Sequence, residues 1–191
     1  MNVMKIAIFA SGSGTNAQKI MEYFLENEEI KVDSLWSNNP RAYALNRASL
    51  LEIETFVFDR RHFYETEDVL RKLKERDICL IVLAGFLWLI PENLIQNFPI
   101  LNIHPALLPQ YGGKGMYGMK VHQAVVDNRE KKSGITIHLV NQKYDEGEII
   151  FQAECPVLTA DTPELVAGKV HELEYKYYPM VIEQYLLGKI K

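Results

Sequence analysis

The chain has 191 residues, of which 48% are hydrophobic and 24% charged, a composition typical of globular proteins. Its formal net charge of -4 argues against a partner held through many phosphates, such as a nucleic acid. The two cysteines, Cys79 and Cys155, stand far apart in sequence, which excludes a disulfide framework or a zinc ribbon and indicates core thiols. We predict one domain over residues 1–191, no membrane span and a cytoplasmic location.

Apolar and helical segments alternate along the first hundred residues. Strands are predicted at residues 6–10, 31–36, 55–58, 78–84 and 100–103, and helices at residues 17–25, 43–50 and 65–76. Alternation of this kind predicts an α/β fold with a Rossmann-like, mostly parallel sheet.

The rhythm changes after residue 130. Residues 134–140 and 149–157 are strand-like, and the link between them, residues 141–148, is too short for a helical crossover, so this C-terminal strand pair is predicted to be antiparallel. Thr162 and Pro163 then supply an N-cap and a first-turn proline. They predict one long C-terminal helix to about residue 187, bent or broken at Pro179.

A glycine-rich turn, Ser11-Gly12-Ser13-Gly14-Thr15-Asn16, follows the first strand. With Ala17 it formally fits the dinucleotide fingerprint, but no acid ends the second strand and no Walker lysine is present. Main-chain N–H groups here, with Thr15 and Asn16, suit a single phosphate at a helix N-terminus. The alternative is a plain tight turn capped by Thr15 or Asn16.

Asn102 and His104 stand two residues apart at the end of an apolar strand, directly before Pro105. Their side chains therefore share one face, where an amide can stabilise an oxyanion and an imidazolium can add a charged donor or a proton. The chain has no G-x-S-x-G elbow, so direct acyl transfer through a tetrahedral intermediate fits better than a covalent enzyme intermediate. The alternative for His104 is a structural hydrogen bond. Ligands of open α/β sheets bind at strand carboxyl ends, so this pair and the glycine turn are predicted to share one crevice.

Four ordered motifs resemble the phosphoribosylglycinamide formyltransferases of the folate-dependent formyltransferase family. They are the glycine-rich turn, Leu83-Ala84-Gly85-Phe86, the run from Asn102 to Pro109, and the run from Ser133 to Val140 followed by Asp145 and Gly147. The resemblance spans essentially the whole chain. It implies the formyltransferase fold and an enzyme that transfers a formyl group from 10-formyltetrahydrofolate to the amine of glycinamide ribonucleotide in de novo purine (IMP) biosynthesis.

The resemblance implies that Asn102, His104 and Asp145 are catalytic. The Asn102 amide and a protonated His104 would stabilise the oxyanion, while Asp145, with an ordered water, would move protons. Without the resemblance, Asp145 would be interpreted as a solvated turn acid. His138 is interpreted either as a residue that orients Asp145 or a water, or as a core histidine.

The resemblance also assigns the residues that bind substrates. Folate contacts fall on Arg61, Leu87, Trp88, Leu89, Ile90 and Asn102, with Trp88 in the place of an arginine of familiar relatives. Ribonucleotide contacts fall on Gly14, Thr15, Asn16 and Glu174, although Glu174 alone would be interpreted as an exposed helix acid. The segment 110–118 is longer than in those relatives and is predicted to form a mobile flap near the formyl site, with His122 soon after it.

Other functions remain open at the level of sequence. A formyltransferase with another amine acceptor and the related formyltetrahydrofolate hydrolase share the fold and motifs. A nucleotide-binding module or a nicotinamide oxidoreductase would explain the glycine turn but not Asn102, His104 and Asp145. The five histidines show no ligand pairing, so no metal is predicted. The expected partners are small-molecule substrates only, with no nucleic acid or membrane, and the protein is expected to be a monomer or a homodimer.

Overall fold

The structure, a computed structural model, describes residues 3–190 and divides the chain into two units, Met1–Leu101 and Asn102–Lys191. The single domain over residues 1–191 stays a prediction, and residues 1, 2 and 191 lie outside the described part. Within residues 3–190, no helix is both long enough and apolar enough to cross a membrane.

The first unit contains a parallel sheet with connecting helices. Its strands are β1 (Met4–Phe9), β2 (Ile30–Ser37), β3 (Glu54–Val57) and β4 (Ile78–Leu83). All of their pairings are parallel, and the strand order is β3-β2-β1-β4. The helices are α1 (Thr15–Phe24), α2 (Tyr43–Leu50), α3 (Arg60–Tyr64), α4 (Asp68–Glu75) and α5 (Glu92–Asn97). The parallel α/β arrangement predicted from the alternating pattern is confirmed.

The core of this unit surrounds β1 and β4. Residues 6–10 are fully buried, as are Leu80, Ile81 and Val82, because a parallel strand covered by helices on both sides must be apolar on both faces. The Phe9 ring packs against Trp36, Phe58 and Phe86 at centroid distances of 5.9, 5.7 and 5.5 Å. The turn after β1 therefore follows a strand that is buried and packed up to its last residue.

The second unit carries the antiparallel strand pair. Its elements are β5 (Ile100–His104), which begins in the last residues of the first unit, α6 (Met119–Asp127), β6 (Lys132–Leu139), β7 (Ile149–Pro156) and α7 (Pro163–Leu186). The strand order is β5-β6-β7, and β6 and β7 are antiparallel, as predicted from their short link. The predicted fold class, a mostly parallel sheet with an antiparallel C-terminal pair and a long closing helix, is therefore confirmed.

Helix α7 starts as predicted but is not broken. Thr162 is its N-cap and accepts a hydrogen bond from the main chain of Leu165, and Pro163 begins the helix. The helix continues through Pro179 to Leu186, so the break is wrong, whereas the alternative of a bend at Pro179 stays a prediction. Residues on both sides of Pro179 are buried, and this packing outweighs the hydrogen bond that proline cannot make.

Other expectations about elements also differ from the structure. The helix predicted over residues 65–76 is shorter and corresponds to α4 alone, and α3, which ends before residue 65, was not predicted. Asp59 starts α3 by accepting from the main chain of His62, and the Thr66 hydroxyl accepts from the main chain of Asp68 at the start of α4. Helices α5 and α6 were not predicted from the sequence. Cys155 is buried and Cys79 is partly exposed, and both are free thiols.

Candidate active site

Strand β5 presents the two polar residues of the Asn-x-His motif. Asn102 is partly exposed, whereas His104 is only 4% exposed, and the apolar residues beside them in the strand are buried. Alternate residues of a strand share a face, and here Asn102 contacts His138 while His104 lies beside Asp145, which itself lies next to His138. The structure therefore places both side chains as the two-residue spacing predicted.

His138 orients the Asn102 amide. Its Nδ1 lies 2.9 Å from the main-chain oxygen of Leu139, an atom that can only accept, so Nδ1 carries a proton. In the neutral ring Nε2 is then an acceptor, and it lies 3.0 Å from Nδ2 of Asn102. This leaves the second N–H of the Asn102 amide for another partner. His138 is 2% exposed and hydrogen-bonded, as a core histidine would be, and its role in orienting Asp145 or a water stays a prediction.

Asp145 lies between two histidines. Its Oδ2 is 3.5 Å from Nδ1 of His104, and its Oδ1 is 3.6 Å from Nε2 of His138. The main-chain N–H of Gly113 donates to Oδ2 at 2.9 Å. The side chain is 11% exposed, so the interpretation as a solvated turn acid is wrong. Asp145 has a left-handed φ of 57°, a conformation that the β6–β7 link must hold against its intrinsic cost.

Gly147 permits the close approach that this link requires. A Cβ at this position would lie 1.6 Å from the main-chain oxygen of Leu139 and 3.2 Å from Nδ1 of His138. That oxygen is the acceptor that fixes the His138 ring. Any side chain at Gly147 would therefore displace the group that sets the tautomer of His138.

Nε2 of His104 is hydrogen-bonded to the predicted flap, residues 110–118. Nε2 lies 2.7 Å from the main-chain oxygen of Tyr111, so it carries a proton there. Nδ1 is the nitrogen that faces Asp145. With the Gly113 contact to Asp145, the flap touches both residues in this conformation. Its position near them is as predicted, and its mobility stays a prediction.

The pKa values of His104 and Asp145 are both lowered, but for different reasons. Burial lowers the pKa of His104 below 6.5, and the opposing effects of the Asp145 carboxylate and the Tyr111 carbonyl do not outweigh it. Burial raises the pKa of Asp145, but a hydrogen bond from the protonated form of the His138 ring, the charge of His104 and the Gly113 N–H together bring it below 3.8. At neutral pH the resting site therefore holds a neutral His104 and an ionised Asp145.

The predicted phosphate turn lies in the first unit. Gly14 is the N-cap of α1, with a left-handed φ of 74° and no side-chain cap, so capping by Thr15 or Asn16 is not what the structure has. The Ser11 hydroxyl accepts from the main chain of Leu87, and the Ser13 carbonyl accepts from Nε of Arg47 at 2.8 Å. These two bonds join the turn to the segment after β4 and to α2. The N-terminus of α1 follows directly after the turn.

The predicted folate residues also belong to the first unit, apart from Asn102. Arg61 is exposed on α3, Leu87 is 47% exposed, and Ile90 is buried. The Leu89 carbonyl accepts from the Tyr64 hydroxyl at 2.9 Å. The Trp88 ring packs against Phe58, Phe63, Tyr64 and Phe86, so Trp88 serves partly as core.

Glu174 is not an exposed helix acid. It is 6% exposed on α7, and its Oε2 lies 4.0 Å from Nε2 of His171. The His171 ring lies 6.2 Å from that of His122 on α6, which is buried. Burial and the neighbouring charges of His171 and His104 lower the pKa of His122 to about 4. Among residues 3–190, no three His, Cys, Asp or Glu side chains are grouped to hold a metal, and the absence of a metal stays a prediction.

Comparison with known proteins identifies the class of enzyme that carries this site. The formyl transferase family model matches residues 4–182, so the chain belongs to the formyl transferase family. It is 36% identical to the phosphoribosylglycinamide formyltransferase of Haemophilus influenzae, over 98% of this chain and 89% of the relative. It is 41% identical to the chloroplastic enzyme of that name from Arabidopsis thaliana, over 98% of this chain and 67% of the relative.

Solved structures agree with the fold. The phosphoribosylglycinamide formyltransferase of Anaplasma phagocytophilum superposes with a TM-score of 0.88 at 32% identity, covering 100% of this chain and 90% of that one. Glycinamide ribonucleotide transformylase 1 of Symbiobacterium toebii gives a TM-score of 0.87 at 31% identity, covering 97% and 89%. The formyltransferase fold, the enzyme class and the resemblance inferred from the four motifs are thereby confirmed.

Proposed function

We propose that the protein transfers the formyl group of 10-formyltetrahydrofolate to the amine of glycinamide ribonucleotide, a step of de novo purine (IMP) biosynthesis. The observation that carries the proposal is the connected set of polar groups in the second unit. Asn102 has one N–H bound to His138 and one left over, and an ionised Asp145 lies 3.5 Å from His104. An amide donor beside a carboxylate and an imidazole is what acyl transfer to an amine requires.

The reaction begins with the attack of the neutral amine on the formyl carbon. A carbon–nitrogen bond forms while the carbonyl π electrons move to oxygen, which becomes an oxyanion. The free N–H of Asn102 is available for that oxygen, because the other is held by His138. Removing one such donor from an acyl-transfer site typically costs roughly 2.7–4 kcal/mol of transition-state stabilisation.

Proton movement completes the transfer. The attacking nitrogen gives up a proton to the Asp145 carboxylate, directly or through a water, and this proton is passed on to N10 of the folate as its bond to the formyl carbon breaks. His104 is neutral at the start, with Nδ1 unprotonated beside Asp145. The imidazolium expected from the sequence therefore arises only while Nδ1 holds the proton that Asp145 has accepted from the attacking nitrogen.

The binding roles remain part of the proposal. Gly14, Thr15 and Asn16 at the N-terminus of α1 suit the single phosphate of the ribonucleotide, and the buried Glu174 suits its ribose. Arg61 and residues 87–90 are assigned to the folate. The donor, the absence of a metal, the small-molecule partners, the cytoplasmic location and the monomeric or homodimeric state are likewise proposals.

The test is an assay with both substrates, which separates the alternatives. Purified protein with 10-formyltetrahydrofolate and glycinamide ribonucleotide should yield formylated ribonucleotide and tetrahydrofolate in equal amounts. Loss of the formyl group at the same rate without the amine would instead identify a hydrolase. No turnover with this amine, but turnover with another, would identify a different acceptor. Asn102→Ala and His104→Ala are the controls and should abolish most of the turnover.

A further inference from the structure

Tyr111 links the active site to the end of α6 through both its main chain and its side chain. Its carbonyl accepts from Nε2 of His104 at 2.7 Å, and its hydroxyl donates to Oε1 of Glu130 at 2.7 Å. The Glu130 main-chain N–H in turn donates to the carbonyl of Val125 in α6 at 3.1 Å. The position of the carbonyl that contacts His104 thus depends on an anchor 19 residues further along the chain.

The backbone at Tyr111 needs such an anchor. Its φ of 57° is a left-handed conformation that costs a non-glycine residue energy and is retained only where surrounding contacts impose it. Before it, the main-chain N–H of Leu108 donates to the Thr136 hydroxyl, which donates to the carbonyl of Ala106. After it, the Gly113 N–H donates to Asp145. The Tyr111 hydroxyl is the contact that holds the residue itself.

The carbonyl decides which nitrogen of His104 carries the proton. Nδ1 of His104 lies 3.5 Å from the Asp145 carboxylate, and without another partner the ring would be drawn to place its proton there. The Tyr111 carbonyl accepts a hydrogen bond and opposes this by holding the proton on Nε2. Nδ1 is thereby kept free to take up a proton beside Asp145.

We propose that Tyr111 is a positioning residue for the formyl transfer. Its carbonyl, fixed by the hydrogen bond from its phenol to Glu130, holds His104 in the Nε2–H form and directs proton uptake to Nδ1. The inference about turnover rests on the proposed function, whereas the inference about the imidazole does not. The phenol does not touch the reacting atoms and acts through the main chain.

The direct test is the tautomer of His104, followed by nitrogen-15 NMR at pH 8 with the signals assigned by their absence in His104→Ala. In the wild type, Nε2 should resonate as a protonated nitrogen and Nδ1 as an unprotonated one. In Tyr111→Phe the anchor is lost, so the proton should shift toward Nδ1 and the two signals should converge or exchange. Tyr177→Phe removes a tyrosine hydroxyl from α7, away from this site, and should leave both signals unchanged.

Kinetics of the same variants test the coupling to turnover. Tyr111→Phe and Glu130→Ala should each lower kcat about tenfold with little change in KM, and the double variant should lose no more than either single one, because both break the same bond. Glu130→Gln keeps an acceptor oxygen and should restore most of the activity and the wild-type tautomer.

Two results would overturn the proposal: an unchanged Nε2–H form in both Tyr111→Phe and Glu130→Ala, or losses of kcat that add in the double variant. A protein that forms no product but whose His104 signals respond as expected would contradict the proposed function instead, and would leave the control of His104 by Tyr111 supported.

Discussion

Nδ2 of Asn102 lies 3.0 Å from Nε2 of His138, whose other ring nitrogen is bound to the main-chain oxygen of Leu139. The histidine can therefore only accept from Asn102 while it is neutral. This fixes which end of the amide faces His138 and leaves the second N–H for the oxyanion of the proposed reaction.

The first prediction concerns this pair. His138→Leu should lower kcat at least about tenfold with smaller changes in KM, because the Asn102 amide loses the partner that sets its orientation. His138→Gln offers an acceptor oxygen and should retain more activity than the leucine variant. Steady-state kinetics with both substrates measure this. Equal activity of His138→Leu and the wild type would show that Asn102 needs no such partner.

The second prediction concerns Asp145. Asp145→Asn should lower kcat roughly 100- to 10,000-fold, because the amide cannot accept the proton released by the attacking amine. The carboxylate raises the pKa of His104, so its removal should move the NMR titration of His104 to still lower pH. Near-wild-type turnover would contradict the proton-transfer role, and an unmoved His104 titration would contradict the coupling of the pair.

Part of the site could be predicted from the sequence because alternate residues of a strand lie on the same face. Asn102 and His104 end an apolar strand at a spacing of two, which places them on one face whatever the rest of the fold. The link between β6 and β7 is likewise too short for a crossover, so these two strands had to be antiparallel. Asp145 had no such local signal, because a carboxylate in a polar link is usually solvated, and its burial depends on Gly113 and two distant histidines.

What the sequence could not indicate are contacts made by the main chain. The carbonyl of Tyr111 and the N–H of Gly113 carry no side-chain signature, and every residue offers such groups. Two alternatives failed for a related reason: Glu174 as an exposed helix acid and a break of the helix at Pro179. A glutamate on a helix is usually exposed and a proline usually ends a helix, yet packing buries both residues. Tertiary packing overrides local propensity at these positions.

The third prediction separates two glycines of the glycine-rich turn after β1. A Cβ at Gly14, where φ is 74°, would lie 2.5 Å from Cβ and 2.6 Å from Cα of Ala44, so Gly14→Ala must displace α2. We expect a loss of about 2–4 kcal/mol in the free energy of unfolding. Gly12 has nothing within 4 Å of such a Cβ, and Gly12→Ala should change stability by less than about 0.5 kcal/mol. Urea denaturation of both variants measures this, and similar losses in the two would contradict it.

The last prediction concerns the buried His122, whose Nδ1 has no hydrogen-bond partner among residues 3–190. Burial, with the charges of His171 and His104, lowers its pKa to about 4 in the folded protein, whereas an unfolded histidine titrates near 6.5. Above pH 6.5 both states hold it neutral. Between pH 6.5 and 4 the unfolded state binds the extra proton, so stability falls as the pH falls, and below 4 this contribution no longer changes.

Over that interval His122 should lower the free energy of unfolding by about 3 kcal/mol. His122→Leu cannot be protonated, so its stability relative to the wild type should rise by this amount between pH 7 and pH 4, whatever its offset at pH 7. Urea denaturation of both proteins at several pH values isolates the contribution, because all other titrating groups are common to the pair. A difference in the free energy of unfolding between the two proteins that does not change with pH would contradict the prediction. It would mean that His122 has the same pKa in the folded and unfolded states, as a solvated ring would.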